Sequence, residues 1–255
     1  MNRSKISSVD VISAILLISI SVAWRYTVWA SHLVNLSNVE LITVSTIVAG
    51  LILRSRLSWI IPLAAVALSD AFIPNNATTM LYVWGAWLMI GAGNQMITSR
   101  KTLAASVPAS SGKRVASVAA LVILLALAAF SGRIFSPIGR LLSPVSLIVL
   151  GISALVAFVA LRRAFPRLSL GLGLGIGSTL FFFAVTNLGV WLEGMYHMYP
   201  MTAQGLLTCY MRGLPFLERQ MRATIILVPS AMVAGEAVVR SLSRFSIRSR
   251  AAQKI

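Results

Sequence analysis

Apolar residues run along this chain in long blocks, and polar residues gather in the gaps between them. The blocks cover residues 11–30, 39–53, 57–73, 78–97, 115–131, 141–161, 168–191 and 223–239. A helix that crosses a bilayer needs about 17–25 mostly apolar residues, and the blocks approach or reach that length. The pattern therefore predicts an all-α, polytopic membrane helix bundle of eight transmembrane helices in a single membrane domain. The second and third blocks are short and joined by a tight turn at residues 54–56. They can span with little tilt or with local thinning of the bilayer. Pro62 falls in the first turns of the third helix, where a missing N–H is tolerated.

The gaps differ in character. Residues 98–112 are rich in Ser, Thr and Ala, with Pro108 and Gly112, and read as a connector. Residues 192–222 form a longer gap. Within it, Leu206, Leu207 and Tyr210 have helical spacing, Pro200 precedes them, and Gly213 and Pro215 follow. The expected element is a short helix over 202–211 on one membrane face, either roofing a pocket or lying in the interface.

Composition supports a membrane setting. Hydrophobic residues make up 58% of the chain and charged residues 11%, against about 25% charged in soluble domains. The net charge of +16 raises the question of nucleic acid, but the basic residues sit between the apolar blocks and at the ends. With the N-terminus inside, sixteen Lys and Arg fall in inner segments and five in outer ones. That asymmetry predicts two cytoplasmic termini. Arg3 and Lys5 before the first block suit a retained anchor, because no small-residue cleavage site is evident. The single cysteine, Cys209, excludes an intrachain disulfide and a cysteine metal cluster.

Charges within spans are expensive and mark candidate sites. Arg25 sits late in the first block, Glu40 opens the second and Asp70 lies near the end of the third. All three fall toward the outer side, where Arg25 can pair with Asp70 or Glu40. Glu236 and Arg240 have i,i+4 spacing. Asn75, Asn76, Thr78 and Thr79 suit turn and N-cap roles before the fourth helix. His32 and His197 lack the companions or spacing of a metal site. No nucleophile with its base is visible, so no enzyme activity is expected, and the residues name no cofactor. Gly171, Gly173, Gly175 and Gly177 lie inside an apolar block without a preceding strand. Their spacing fits close helix packing and not a dinucleotide fingerprint.

The densest gathering of ligand-orienting groups is Asn187, Trp191, Glu193, Tyr196, His197 and Tyr199. Asn187 and Trp191 are four apart and share a helix face. The expectation is one outer cavity lined by Asp70, Trp84, Asn187 and Trp191, with Glu193 at the mouth, Tyr196 beside it and residues 196–211 as its roof. The other reading makes these residues separate caps and members of an interfacial belt.

Three stretches also carry a resemblance: PLAAVALSDAFI at 62–73, FFFAVTNLGVWLEGMY at 181–196 and YPMTAQGLLTCYMRGLPF at 199–216. They resemble a bacterial family of small integral membrane proteins. That family is distantly similar to the substrate-binding S components of energy-coupling-factor transporters. The resemblance covers under fifty residues. It implies a six-helix core in the bacterial cytoplasmic membrane that captures a small molecule from outside, while a separate ATPase module drives release. Residues 115–161 then form a two-helix insert that departs from this pattern. The expected partners are the lipid bilayer, a small-molecule ligand, and a transport module or larger membrane complex, with no nucleic acid. The rival expectation is a structural or accessory subunit of such a complex.

Overall fold

The computed structural model describes residues 6, 8–33, 39–53, 55–100, 111–135, 143–193 and 198–252. Among these there are eight α-helices and no strand: α1 Ser8–Ala30, α2 Leu41–Ile47, α3 Ile61–Asp70, α4 Ala77–Arg100, α5 Ser111–Phe135, α6 Ser143–Ala164, α7 Pro166–Leu192 and α8 Ala203–Ala252. The all-α expectation holds.

The membrane-spanning count is smaller than the sequence suggested. Among the described residues, three helices are long and apolar enough to cross a bilayer: Ser8–Ala30, Pro166–Leu192 and Ala203–Val238. Four others, Leu41–Ile52, Ile61–Asp70, Val115–Ala128 and Leu147–Arg162, are apolar but shorter. The third block shows why. It forms helix only from Ile61, with Pro62 in the first turn as expected, because Ser58 and Ile60 are held in backbone turns to Ser55 and Leu57. Helix α4 has 24 residues, but Thr78, Thr79, Asn94, Gln95 and Thr98 dilute its hydropathy.

Helix α2 passes into one wide turn, Val48–Ile52, where Leu53 N–H bonds to Val48 C=O, five residues back. Such π turns rotate the residues that follow. Helix α1 ends at His32, whose φ of 52° is left-handed, and Leu33 N–H reaches back to Val28 C=O at 3.1 Å. That is the usual geometry of a helix stop.

The largest correction concerns residues 202–222. The expected short outer helix followed by a separate span is instead the first half of α8, one helix of 50 residues with Pro215 and Pro229 inside it. Gly213 does not stop the helix. A Cβ there would meet the Asn187 and Phe183 side chains, so glycine lets α8 approach α7. Arg212, Arg219 and Arg222, expected in an outer segment, therefore lie on a helix that runs antiparallel to α7. The expected connector at 98–112 is also shorter, since Arg100 ends α4 and Ser111 begins α5; residues 101–110 lie outside the described part.

Helices α1–α4 pack together, and α4 and α2 pack on α7. Helices α5 and α6 form a hairpin against α7 and α8, with Leu124, Leu150, Leu161, Leu172 and Ile225 fully buried between them. Among the expected close contacts, a Cβ at Gly175 would lie 2.9 Å from Thr224 Cγ2 and 3.2 Å from Val228 Cγ2. One at Gly173 would lie 3.0 Å from Phe158, while Gly177 faces open space.

A buried polar level crosses the middle of the bundle. Ser21 and Ser45 hydroxyls bond at 2.9 Å, Asn94 Nδ2 donates to Ser178 Oγ at 3.5 Å, and Thr179 and Thr224 hydroxyls bond at 2.8 Å. These bonds tie α1 to α2, α4 to α7 and α7 to α8. Between apolar helices, such pairs supply about 0.6–1.7 kcal/mol each. The level divides the bundle into a half containing Asp70 and a half containing Ser58.

Candidate functional site

In the Asp70 half, α1, the start of α2 and the end of α3 bring charges together. Arg25 Nη2 lies 3.0 Å from Asp70 Oδ1, and Arg25 Nη1 lies 3.5 Å from Glu40 Oε1. The guanidinium therefore bridges both carboxylates that the sequence offered as alternatives. Asp70 also accepts from Asn75 Nδ2 at 2.9 Å and, through Oδ2, from Trp84 Nε1 at 2.8 Å. Its side chain is 2% exposed. Burying a carboxylate costs several kcal/mol unless charge and hydrogen bonds compensate it, and here one cation and two neutral donors do so. Asn76 takes the expected capping role, its Oδ1 accepting from Thr78 N–H at 2.9 Å.

The other expected site residues lie elsewhere. Asn187 Nδ2 donates to Phe183 C=O one turn back at 2.8 Å. Trp191 Nε1 donates to Pro200 C=O at 3.0 Å, which ties the end of α7 to the entry of α8. Glu193 Oε2 accepts from Thr79 Oγ1 at 3.1 Å. Tyr196 and His197 lie outside the described residues. Asp70 and Trp84 thus meet each other, while Asn187, Trp191 and Glu193 serve the α4–α7–α8 contacts.

Helix α4 explains the division. Tyr82 packs against Gly189 of α7, and Trp84 two residues later points about 200° around the helix, toward Asp70. Asp70 and Trp84 are therefore joined by a direct bond, while Asn187, Trp191 and Glu193 bond to Phe183, Pro200 and Thr79.

What sequence reasoning missed lies beneath the charge cluster. Among the described residues, six buried side-chain polar atoms have no hydrogen-bond partner: Arg25 Nε, Glu40 Oε2, Thr43 Oγ1, Trp87 Nε1, Glu193 Oε1 and Gln220 Nε2. All six belong to the Asp70 half. Each buried unpaired group costs about 1–3 kcal/mol. Six of them together rival the ~5–15 kcal/mol net stability of a typical domain. Thr43, Trp87 and Gln220 are at most 6% exposed. Trp87 stacks on Phe182 with ring centroids 4.9 Å apart and shares a buried cluster with Ile42, the neighbour of Thr43. The signal that could have found Thr43 and Trp87 is a side chain with a neutral polar group inside an apolar block, where no charge drew attention; Gln220 lies in the gap before the last block and carried no such signal.

No group of three or more metal-ligating side chains occurs among the described residues.

Fold and site together define a class: an all-helical bundle with three candidate membrane spans and a buried, partly unsatisfied polar site in one half. Residues 5–112 and 111–246 match the model of DUF6580, a family of unknown function, and the chain belongs to that family. No curated protein and no solved structure matches the chain.

Proposed function

We propose that this chain is an integral membrane protein that captures a small polar molecule from the outer side of the membrane, in the manner of an S component. The observation that carries this reading is that the six unpartnered buried polar side-chain atoms found among the described residues all lie in the Asp70 half. Polar groups at membrane depth mark substrate sites by default. An apolar pocket with a few convergent polar groups suits a small ligand. The membrane assignment is supported by the apolar exterior of several helices, where Val9, Leu81, Leu155 and Val159 are each more than 60% exposed. The remaining helices then span as well, the shorter ones with local thinning. Both termini face the cytoplasm by the distribution of Lys and Arg, which places Asp70 outside.

A second reading, an accessory subunit of a larger membrane complex, is favoured by α8. Glu218, Arg219 and Arg222 are half-buried on a candidate span. They lie on a different side of the helix from Leu217, Met221 and Ile225, which pack on α5 and α6. A charged stripe of that kind suits a protein partner.

Purification of the full chain in mild detergent separates the two. An associated ATPase module supports capture for transport. A stable larger assembly without such a module supports the accessory role and overturns the first reading.

A further inference from the structure

We propose that the groove between α6, α7 and α8 seats one acyl chain of an anionic phospholipid whose phosphate lies against Arg162. This rests on the membrane setting and not on the capture reading. The groove has a volume of about 370 Å³, and its walls include Leu147, Gly151 and Phe158 of α6, Gly173 and Leu180 of α7 and Met221 of α8. No lining residue has a charged, amide or hydroxyl side chain. A polar occupant would lose its bonds to water there without replacement, so the part of a ligand that fills the groove is hydrocarbon. The rim is open, with Leu155 63% and Leu180 47% exposed. From Leu147 to Phe158 is eleven residues of α6, or about 16 Å of helix axis. A helix of that length, about 10 Å across, fills roughly three times the groove's volume, so one extended chain fits inside and a helix does not. A Cβ on Gly151 would meet nothing within 4 Å, which puts open space midway along this length.

Charge distinguishes the two ends of the groove. At one end Phe158 and Gly173 pack together, since a Cβ on Gly173 would lie 3.0 Å from the Phe158 ring. Arg162 is one turn further along α6. Residues 151, 155, 158 and 162 keep the spacing of a single helix face, so Arg162 continues the stripe that lines the groove. It is exposed, and among the described residues no carboxylate pairs with it. Helices α6 and α7 together hold three basic residues, Arg162, Arg163 and Arg167, all at their junction, and no acidic one. Helix α7 begins there with Pro166 in its first turn and no side-chain cap, so the positive end of its dipole adds to the field. An anion is favoured at this end, and a guanidinium can pair with two phosphate oxygens at once. A phospholipid supplies both halves of the match, and the open rim leaves its second chain in the bilayer. A zwitterionic headgroup fits less well, because its ammonium meets the same basic junction. The orientation proposed above puts this junction at the cytoplasmic leaflet, where anionic lipids give the surface its negative potential.

The test titrates the detergent-purified full chain with dioleoyl phosphatidylglycerol and dioleoyl phosphatidylcholine, which share their acyl chains, and with glycerol phosphate as the headgroup alone. Native mass spectrometry reads the bound fraction. Phosphatidylglycerol should bind at least about fivefold more tightly than phosphatidylcholine, and glycerol phosphate should leave no adduct. Arg162→Gln should bring the two lipids to within about twofold of each other. Gly151→Leu fills the groove without a clash, because its Cβ position is open, and should weaken both lipids by about tenfold in apparent Kd. Gly177→Leu, outside the groove, should bind both as wild type does. The wild-type preference needs no variant, so a variant that fails to fold does not remove the test. Equal binding of the two lipids by wild type, or unchanged binding by Gly151→Leu, overturns the proposal. Glycerol phosphate binding as tightly as phosphatidylglycerol overturns it in favour of a soluble phosphate ester, and a dimer that Gly151→Leu dissociates overturns it in favour of a second copy. Release of the chain from membranes by an alkaline wash without detergent would instead overturn the membrane setting.

Discussion

On the Ser58 side of the polar level, buried polar groups are bonded within the bundle. Ser58 donates to Gln95, Ser117 to Ala160 C=O at 2.7 Å and Ser169 to Phe158 C=O at 3.2 Å. On the Asp70 side, Asp70 is bonded on both oxygens while Glu40, Thr43, Trp87 and Gln220 each keep a buried atom unpaired. Both halves come from the same kind of sequence, apolar helices with sparse polar residues. The difference teaches what sparse polar residues are for. In one half they fasten helices to one another, and in the other several keep a buried donor or acceptor unpaired.

The contrast can be broken most forcefully at Asp70. Asp70→Ala removes the anion that Arg25, Asn75 and Trp84 share, and loss of one partner of a buried pair typically costs about 3–5 kcal/mol. A large fall in the melting temperature of the purified chain is expected. A change worth under ~1 kcal/mol would mean that the cluster is open to water. Next is Gly175→Leu, where even the Cβ crowds Thr224 and Val228; overpacking of this kind costs about 1–3 kcal/mol. Gly177→Leu, with open space at its Cβ position, should melt like wild type. Equal melting of the two would remove the close α7–α8–α2 contact from the account.

The polar level sharpens the comparison by its asymmetry. Thr224→Val leaves the Thr179 hydroxyl buried without its partner and should cost about 1 kcal/mol. The double variant Thr179→Val, Thr224→Val removes both groups and should recover most of that loss. Additive losses would contradict the pairing. The smallest effect carries an unusual sign. Gln220→Leu removes a buried amide whose Nε2 is unpaired, so ligand-free protein should become slightly more stable, by up to about 1 kcal/mol. Ser58→Ala in the other half should destabilise by a similar amount.

The parts of this arrangement that could be read from sequence are those where a residue type conflicts with its surroundings. Arg25, Glu40 and Asp70 stood out because charges are rare in apolar blocks, and they do meet. Pro62 and Asn76 took the helix-start positions that their backbone chemistry favours. Gly175 sits at a helix contact because nothing larger fits. The continuity of α8 was not legible, because Gly213 and Pro215 carry the same local signal whether they end a helix or let one pass close to another. Which face of α4 each residue occupies was equally hidden: Tyr82 meets Gly189 of α7, while Trp84 bonds to Asp70 of α3. Thr43, Trp87 and Gln220 were missed because a neutral polar side chain signals function only once its partners, or their lack, can be counted.

The central claim is that the Asp70 half holds a small polar molecule while the Ser58 half holds only itself. Native mass spectrometry of the full chain, released gently from detergent, tests this directly. Wild type and Ser58→Ala should carry the same small-molecule adduct, and Gln220→Leu and Glu40→Gln should lose it. An adduct absent from wild type, or lost equally from Ser58→Ala, would contradict the account.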